Sequence, residues 1–450
     1  MMLAQAAPAR SVNARIFAGL ATVGTLAAFV RAAGGLKVIV MAHVLGASAS
    51  VDAFLFAFLA PSFFSDVVAS SLTPSIIPVL TSIRVRRDEE CARRLSAGVL
   101  AASASLLIAI SCLLGLSATL IAGMRGAQGA ATQELTRSLL IGLLPWLPLT
   151  GTIVCWRAIL NMHEQFAVAA AAPVATPVLT IFLLYVSGRA AGVQVLCYGT
   201  WGGALIEVLI LGWSVRQLGY PLMPKWLGWT PDMQAVLRQY LPVAAGAVVT
   251  SGSALIDQGF ASRLAPGTLS ALTYGTRLTG VVITIAGTAL STAALPYLSR
   301  MSAAGDWSGF RHTVSRYATA AVLAGAAAAA ALIRLSHSLV HGVLQHGAFT
   351  AQASDAVTLL QRCSLAQLPL AFLLAFGFVI ASALKANRLM LAVAPVALLT
   401  TLAFDYALMR RFGAAGIAAA PALADAVCLC VLFVLLRRTL RRMQPAEFPG

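Results

Sequence analysis

The chain has 450 residues, of which 59% are hydrophobic and only 10% are Asp, Glu, Lys or Arg, and its mean hydropathy is +0.86. Soluble domains carry roughly 25% charged residues, so this composition excludes a large soluble domain, an ATPase module or a disordered tail. The net charge of +16, from 31 Lys+Arg against 15 Asp+Glu, reads as the positive-inside bias of a membrane protein and its attraction to anionic headgroups, with no nucleic-acid partner.

A spanning helix needs about 20 apolar residues. Twelve runs qualify: 14–44, 51–82, 95–124, 137–159, 163–186, 190–215, 238–261, 269–299, 316–342, 355–384, 389–409 and 413–436. The first is too long for a signal-peptide core and reads as a retained span. An even number puts both termini on one side. Nineteen Lys and Arg fall in the loops of that side against six on the other, so both termini are expected in the cytoplasm. The run Arg437-Arg438-Thr439-Leu440-Arg441-Arg442 reads as a stop-transfer anchor. The seven cysteines are odd in number and mostly lie in apolar runs, which indicates neither a disulfide framework nor a zinc knuckle.

The chain looks duplicated. Leu72-Thr73 and Pro78-Val79-Leu80-Thr81 recur 218 residues later as Leu290-Ser291 and Pro296-Tyr297-Leu298-Ser299. Both copies end the second span of a six-span block and precede a basic loop, as in a parallel repeat. The expected organisation is all-α and polytopic: a six-helix lobe over 1–215, a cytoplasmic linker over 216–237, a second six-helix lobe over 238–436 and a basic tail over 437–450.

No nucleotide-binding, zinc-protease or serine-hydrolase motif is present. The informative residues are ionisable groups at membrane depth, which are costly and by default functional. In the first span Arg31 and Lys37 flank Gly34-Gly35. Six residues on a continuous helix place the two cations about 240° apart, so a break at Gly34 and Gly35 is expected to turn both inward; the alternative is two snorkelling cations. The second span carries Asp52, Pro61 and Asp66. Pro61 frees a carbonyl and allows a bend, Asp52 lies where a helix cap is expected, and Asp66 is placed to pair with Lys37 or Arg31. Arg277, about eight residues into the eighth span, is the corresponding cation of the second half. Among the remaining acids, Glu207 reads as an interhelical hydrogen-bonding group. Asp257, Asp405 and Asp425 read either as a site for a monovalent cation or a proton, or as partners of Arg263, Arg410 and Arg411.

The stretch Arg31-Ala-Ala-Gly34-Gly-Leu-Lys37 resembles the R-x-x-G-x-x-R signature of the MurJ (MviN) lipid II flippases. The likeness continues through Leu45-Gly46-Ala47, Asp52-Ala53-Phe54, Phe56-Ala57-Phe58 and Pro61, then Tyr274-Gly-Thr-Arg277-Leu278, Leu295-Pro296-Tyr-Leu-Ser299 and Gln345-His-Gly347-Ala-Phe349-Thr350. It implies the MOP-superfamily fold, two six-helix lobes around a cavity open alternately to each side of the bacterial inner membrane. It also implies movement of an undecaprenyl-pyrophosphate-linked glycan to the outer leaflet, with Arg31, Lys37 and Arg277 as cavity cations and Asp52 as the family's acid of the second span; the expected substrate-binding set is Arg31, Lys37, Arg277, Asp52 and Asp66. A sodium site, as in some members, falls at Asp257 and Asp405, so the expected coupling ion is Na+ or H+, with no other cofactor. The expected partners are the lipid-linked glycan, membrane lipids and the machinery of cell-wall or glycan synthesis. The chain departs from the family at Val38, Ser65 and Ser70, and in having twelve spans where fourteen are common. A transporter of exopolysaccharide or O-antigen precursors is therefore the main alternative to a lipid II flippase, and a cation-coupled multidrug exporter the lesser one.

Overall fold

The computed structural model describes residues 9–86, 88–124, 129–187, 192–226, 228–386 and 388–443, with side chains from Gly24 to Arg441. Arg87, Arg125, Arg189 and residues 444–450 of the basic tail lie outside this set, as do the side chains of Arg10, Arg15 and Arg442. Among the described residues there is no strand. The helices are α1 (Ala9–Leu45), α2 (Ala49–Phe64), α3 (Leu72–Arg86), α4 (Glu89–Leu116), α5 (Ala118–Gly123), α6 (Ala130–Leu143), α7 (Trp146–Met162), α8 (Phe166–Ala171), α9 (Ala175–Ser187), α10 (Gln194–Gln217), α11 (Pro231–Ala261), α12 (Thr268–Ala304), α13 (Trp307–Leu344), α14 (Ala351–Leu365), α15 (Leu368–Ala383), α16 (Arg388–Phe412) and α17 (Ala414–Met443). Among the described residues eleven stretches are long and apolar enough to cross a membrane. The pair α14 and α15, bent by 42°, makes a twelfth.

Two expectations about breaks are corrected. α1 runs unbroken through Gly34 and Gly35. Each glycine costs a helix about 1 kcal/mol relative to Ala, whereas each backbone group orphaned in hydrocarbon costs several, so continuity wins. The interruption of the second span does occur, but past Pro61, which α2 accommodates in its interior. It takes the form of a π-helical turn over Ser65–Ala69, in which the Ser70 amide donates to the Ser65 carbonyl at 3.1 Å, followed by a turn before α3. A π turn widens the helix by one residue, and this one presents Asp66 to the outside.

The chain divides into two compact units. The first comprises Met1–Val44, Ala60–Ala122 and Glu134–Ala245, the second Leu45–Leu59, Gly123–Gln133 and Gly246–Gly450. In the first unit α3, α4, α7 and α10 pack around Leu80, Leu100, Leu160 and Leu211. In the second, α12, α13, α15 and α17 pack around Leu298, Phe310, Phe376 and Leu432. Leu80 and Leu298, equivalent in the 218-residue repeat, are both completely buried, so the duplicated motif does the same packing job in each half.

Close approach within the first unit depends on Gly199-x-x-x-Gly203 on α10, which faces Thr180 and Thr176 on α9. A Cβ at Gly199 would lie 2.9 Å from the Thr180 Cα, and one at Gly203 would strike the Thr176 backbone. Small residues four apart let two membrane helices touch at the backbone, where dispersion is greatest. The linker after α10 is also fastened to this unit. The Tyr220 hydroxyl donates to Glu89 Oε1 at 2.8 Å, and the Lys225 amide donates to the Ala97 carbonyl at 3.2 Å.

Candidate functional site

Arg31 lies about 21 Å along α1 from its Leu45 end, at 1.5 Å per residue. Its side chain is exposed and makes no ion pair or hydrogen bond among the described residues. Lys37 is half-buried. On the continuous helix the smaller angle between the two is about 120°, and Gly34 sits midway, about 60° from each. A Cβ on Gly34 or Gly35 would meet nothing within 4 Å. The glycine pair is therefore a bare floor with a long cation on either side about 9 Å apart along the axis; both cations can reach a ligand lying over Gly34 without a helix break. Asp66 makes no ion pair among the described residues, so its expected pairing with Lys37 or Arg31 is not formed.

Arg277 lies in the third turn of α12, directly after the buried Tyr274 and Gly275, and it is exposed. It too makes no ion pair or hydrogen bond among the described residues. The start of its helix is held by Asp52, whose expected role is corrected here. Asp52 is 2% exposed. Its Oδ2 accepts from the Gly267 amide at 2.6 Å and its Oδ1 from the Ser270 amide at 2.7 Å. Both oxygens thus cap α12, where the amides have no intrahelical acceptor and the helix dipole favours an anion. Asp52 is a cap, as its place at the start of a span suggested, but of a helix 215 residues away. The cap of its own helix is Ser48, which accepts from the Val51 amide at 3.4 Å. Both oxygens are engaged by the backbone of α12, and the side chain is almost fully shielded from solvent.

The surrounding contacts join the motifs of the family resemblance. The Tyr274 hydroxyl donates to the Gly46 carbonyl at 3.4 Å, and the Tyr274 and Phe349 rings meet edge to face at 5.8 Å. Gly46 has φ +67°, and a Cβ there would lie 2.7 Å from the Ala348 carbonyl oxygen. Asp52 and Ser270 stand 218 residues apart, the offset of the repeat, so they occupy corresponding positions of the duplicated sequence.

Asp257 on α11 and Asp405 on α16 are brought close enough for each carboxyl to feel the other. Asp405 is completely buried. Asp257 Oδ1 and both oxygens of Asp405 have no hydrogen-bond donor among the described residues. The alternative pairing with local arginines is not formed: Arg410 lies instead over the Tyr406 ring at 4.4 Å, and Arg263 and Arg411 make no ion pair among the described residues. Two neighbouring carboxyls, one completely buried and one half-buried, repel each other when both are charged, which favours the uncharged form of one of them. Asp425 on α17 does not join them and lies beside Cys428. No group of three or more His, Cys, Asp or Glu suited to a metal ion occurs among the described residues.

One pair has no signal in motif or spacing. Arg157 on α7 meets the buried Glu207 of α10, Nη2 to Oε1, at 3.2 Å. Glu207, expected to act as an interhelical hydrogen-bonding group, thus meets an arginine of a neighbouring helix. At the end of α7, His163 Nε2 lies 3.2 Å from Glu89 Oε1, while Arg84 Nε donates to Glu89 Oε2 at 2.9 Å. Burial, followed by the positive charge of Arg84, holds the His163 imidazole below its ordinary pKa of 6.5, against the pull of Glu89.

A model of the family described as lipid II flippase MurJ matches residues 41–448. The chain belongs to this family. It is 28% identical over 355 residues to a probable lipid II flippase MurJ of Vibrio cholerae, covering 76% of this chain and 67% of that one. A second, from Rhizobium meliloti, is 26% identical over 350 residues, covering 75% and 65%. The chain thus spans about two thirds of the length of these relatives. Among solved structures, a lipid II flippase MurJ in an inward closed conformation superimposes with a TM-score of 0.79 at 18% identity, covering 94% of this chain and 90% of that one. An inward-facing multidrug-resistance MATE transporter of the MOP superfamily gives 0.74 at 14% identity, covering 95% and 96%. The fold is that of the MOP superfamily.

Proposed function

We propose that this chain is a lipid II flippase, which carries the polyprenyl-pyrophosphate-linked peptidoglycan precursor from the inner to the outer leaflet of the bacterial cytoplasmic membrane and performs no covalent chemistry. The observation that supports this most is the state of Arg31 and Arg277. Both are exposed and without a protein partner among the described residues, well inside helices long and apolar enough to cross a membrane. A guanidinium at that depth does not face lipid; it faces water or a ligand. A pyrophosphate carries about two negative charges and is ruinously expensive to bring into hydrocarbon unpaired. Arg31, Lys37 and Arg277 offset that cost, the two guanidinium forks matching phosphate oxygens, while Gly34 and Gly35 let the headgroup approach the backbone of α1. The Asp257–Asp405 pair is the site of coupling, taking a monovalent cation or a proton as the transport cycle turns.

The cationic set argues against export of cationic drugs, which calls for an acidic site. The test is depletion complementation. A bacterium losing its own lipid II flippase is expected to survive on this chain and to lyse on an Arg277→Ala variant expressed at the same level. Failure of the unaltered protein to rescue, together with rescue of a strain lacking an exopolysaccharide flippase, would move the assignment to that cargo.

A further inference from the structure

Helices α13, α15 and α17 of the second unit enclose a groove of about 690 Å3. Its walls are apolar, built from Val314, Phe376, Leu432 and Phe433, whereas Arg311, Arg437 and Arg441 line it as well. On α17 the lining residues recur at helical spacing from Leu429 to Arg441, so the groove follows one face of that helix. The charge is confined to one end. Arg437 and Arg441 stand near the end of α17 and Arg311 near the start of α13. By the span count, the start of the ninth span and the end of the twelfth fall on the same side of the membrane. No acidic side chain lines the groove among the described residues.

We infer that this groove is a binding site for one anionic glycerophospholipid of the leaflet on the arginine-rich side, its phosphate held by Arg311, Arg437 and Arg441 and an acyl chain lying against Phe376 and Leu432. The length selects the occupant. From Leu429 to Arg441 is about 18 Å of helix, close to half of the roughly 30 Å hydrocarbon core. That matches a chain belonging to one leaflet and is short for a long polyprenyl tail. Charge selects the headgroup. A cation near the membrane surface favours an anionic lipid by about fivefold, so three favour it by up to about a hundredfold before screening. The site is independent of the cations assigned to transport, since none of Arg31, Lys37 and Arg277 lines it.

The test uses the purified full-length protein, with retained lipid counted by native mass spectrometry after titration with phosphatidylglycerol or phosphatidylcholine of identical acyl chains. The unaltered protein should retain one phosphatidylglycerol with at least about tenfold preference over phosphatidylcholine. An Arg311→Gln, Arg437→Gln, Arg441→Gln triple variant should lose that preference, while the corresponding triple Lys variant, which keeps the charge, should hold most of it. Cys430→Trp, at an exposed position in the groove wall, should reduce retention of both lipids with the arginines intact. Equal retention of the two lipids by the unaltered protein, or undiminished preference in the triple Gln variant, would overturn the proposal. Unchanged retention in Cys430→Trp would overturn its placement in the groove, and displacement of phosphatidylglycerol by an equal concentration of polyprenyl phosphate would overturn the choice of occupant.

Discussion

Replacing Asp52 by Ala removes the acceptor for two backbone amides at once. The bonds are short, 2.6 and 2.7 Å, and charge-assisted, and Ser270 is completely buried. Hydrogen bonds to a charged group contribute about 1.5–3 kcal/mol each, so the loss is roughly 3–6 kcal/mol, with the Ser270 amide left without an acceptor. At about 2–4 °C per kcal/mol for a domain of 150–250 residues, the melting point of the purified protein should fall by roughly 6–24 °C. Asp52→Asn keeps one carbonyl oxygen but turns an NH2 toward the second amide, and should lose about half as much. A thermal-shift assay in detergent reads both variants, with transport measured in parallel. A cap that holds α12 lowers stability and transport together. A substrate ligand lowers transport alone. A melting point for Asp52→Ala within about 2 °C of the unaltered protein would refute the capping account.

Other outcomes follow from the same packing and charge. Gly203→Ala should destabilise the α9–α10 pair by roughly 1–3 kcal/mol or more, because the new methyl meets the Thr176 backbone, while Gly202→Ala, facing only the end of the Leu179 side chain, should be milder; expression and melting point in the two variants decide it. Sodium-dependent or pH-dependent transport in the unaltered protein should become insensitive in Asp257→Asn and Asp405→Asn with substrate binding largely intact, and unchanged ion dependence in both would retire the coupling role. The half-buried His163 binds fewer protons folded than unfolded, so the stability it lends is complete above its ordinary pKa of 6.5 and is lost as pH falls through the lower folded value. The melting point should therefore drop between about pH 7 and pH 5, and His163→Gln should flatten that drop.

The spans were legible because a bilayer demands about 20 apolar residues wherever a helix crosses it, and the repeat was legible because Leu80 and Leu298 fill equivalent core positions. Arg31, Lys37 and Arg277 stood out by their cost. What the sequence hid was partnership. Asp52 looked like a local cap, and nothing in the chain announces amides at Gly267 and Ser270. Arg157 and Glu207 are 50 residues apart on different helices. For Asp257 and Asp405, nearness in sequence misled: Arg410 is five residues from Asp405 on α16 and so points to another face, since only residues three or four apart are neighbours, while Arg263 lies in the turn beyond the end of α11. The Gly34-Gly35 pair looked like a hinge because glycine is poor in helices. In lipid the demand for internal hydrogen bonds outweighs that preference, and the missing side chains matter for the room they leave beside Arg31.

The central claim is that Arg31 and Arg277, inside the membrane, bind the pyrophosphate of the cargo, and lipid II translocation by the protein reconstituted in liposomes tests it most directly. Each charge-assisted contact of about 1.5–3 kcal/mol corresponds to roughly 10- to 150-fold in binding. Arg31→Ala and Arg277→Ala should each insert normally and lose translocation by at least the lower figure. Arg277→Lys should recover only part of it, because the fork is lost. Arg94→Ala, which removes an exposed ion pair with Glu90, should be nearly silent. Correctly inserted Arg31→Ala and Arg277→Ala proteins that translocate lipid II at the unaltered rate would contradict the account.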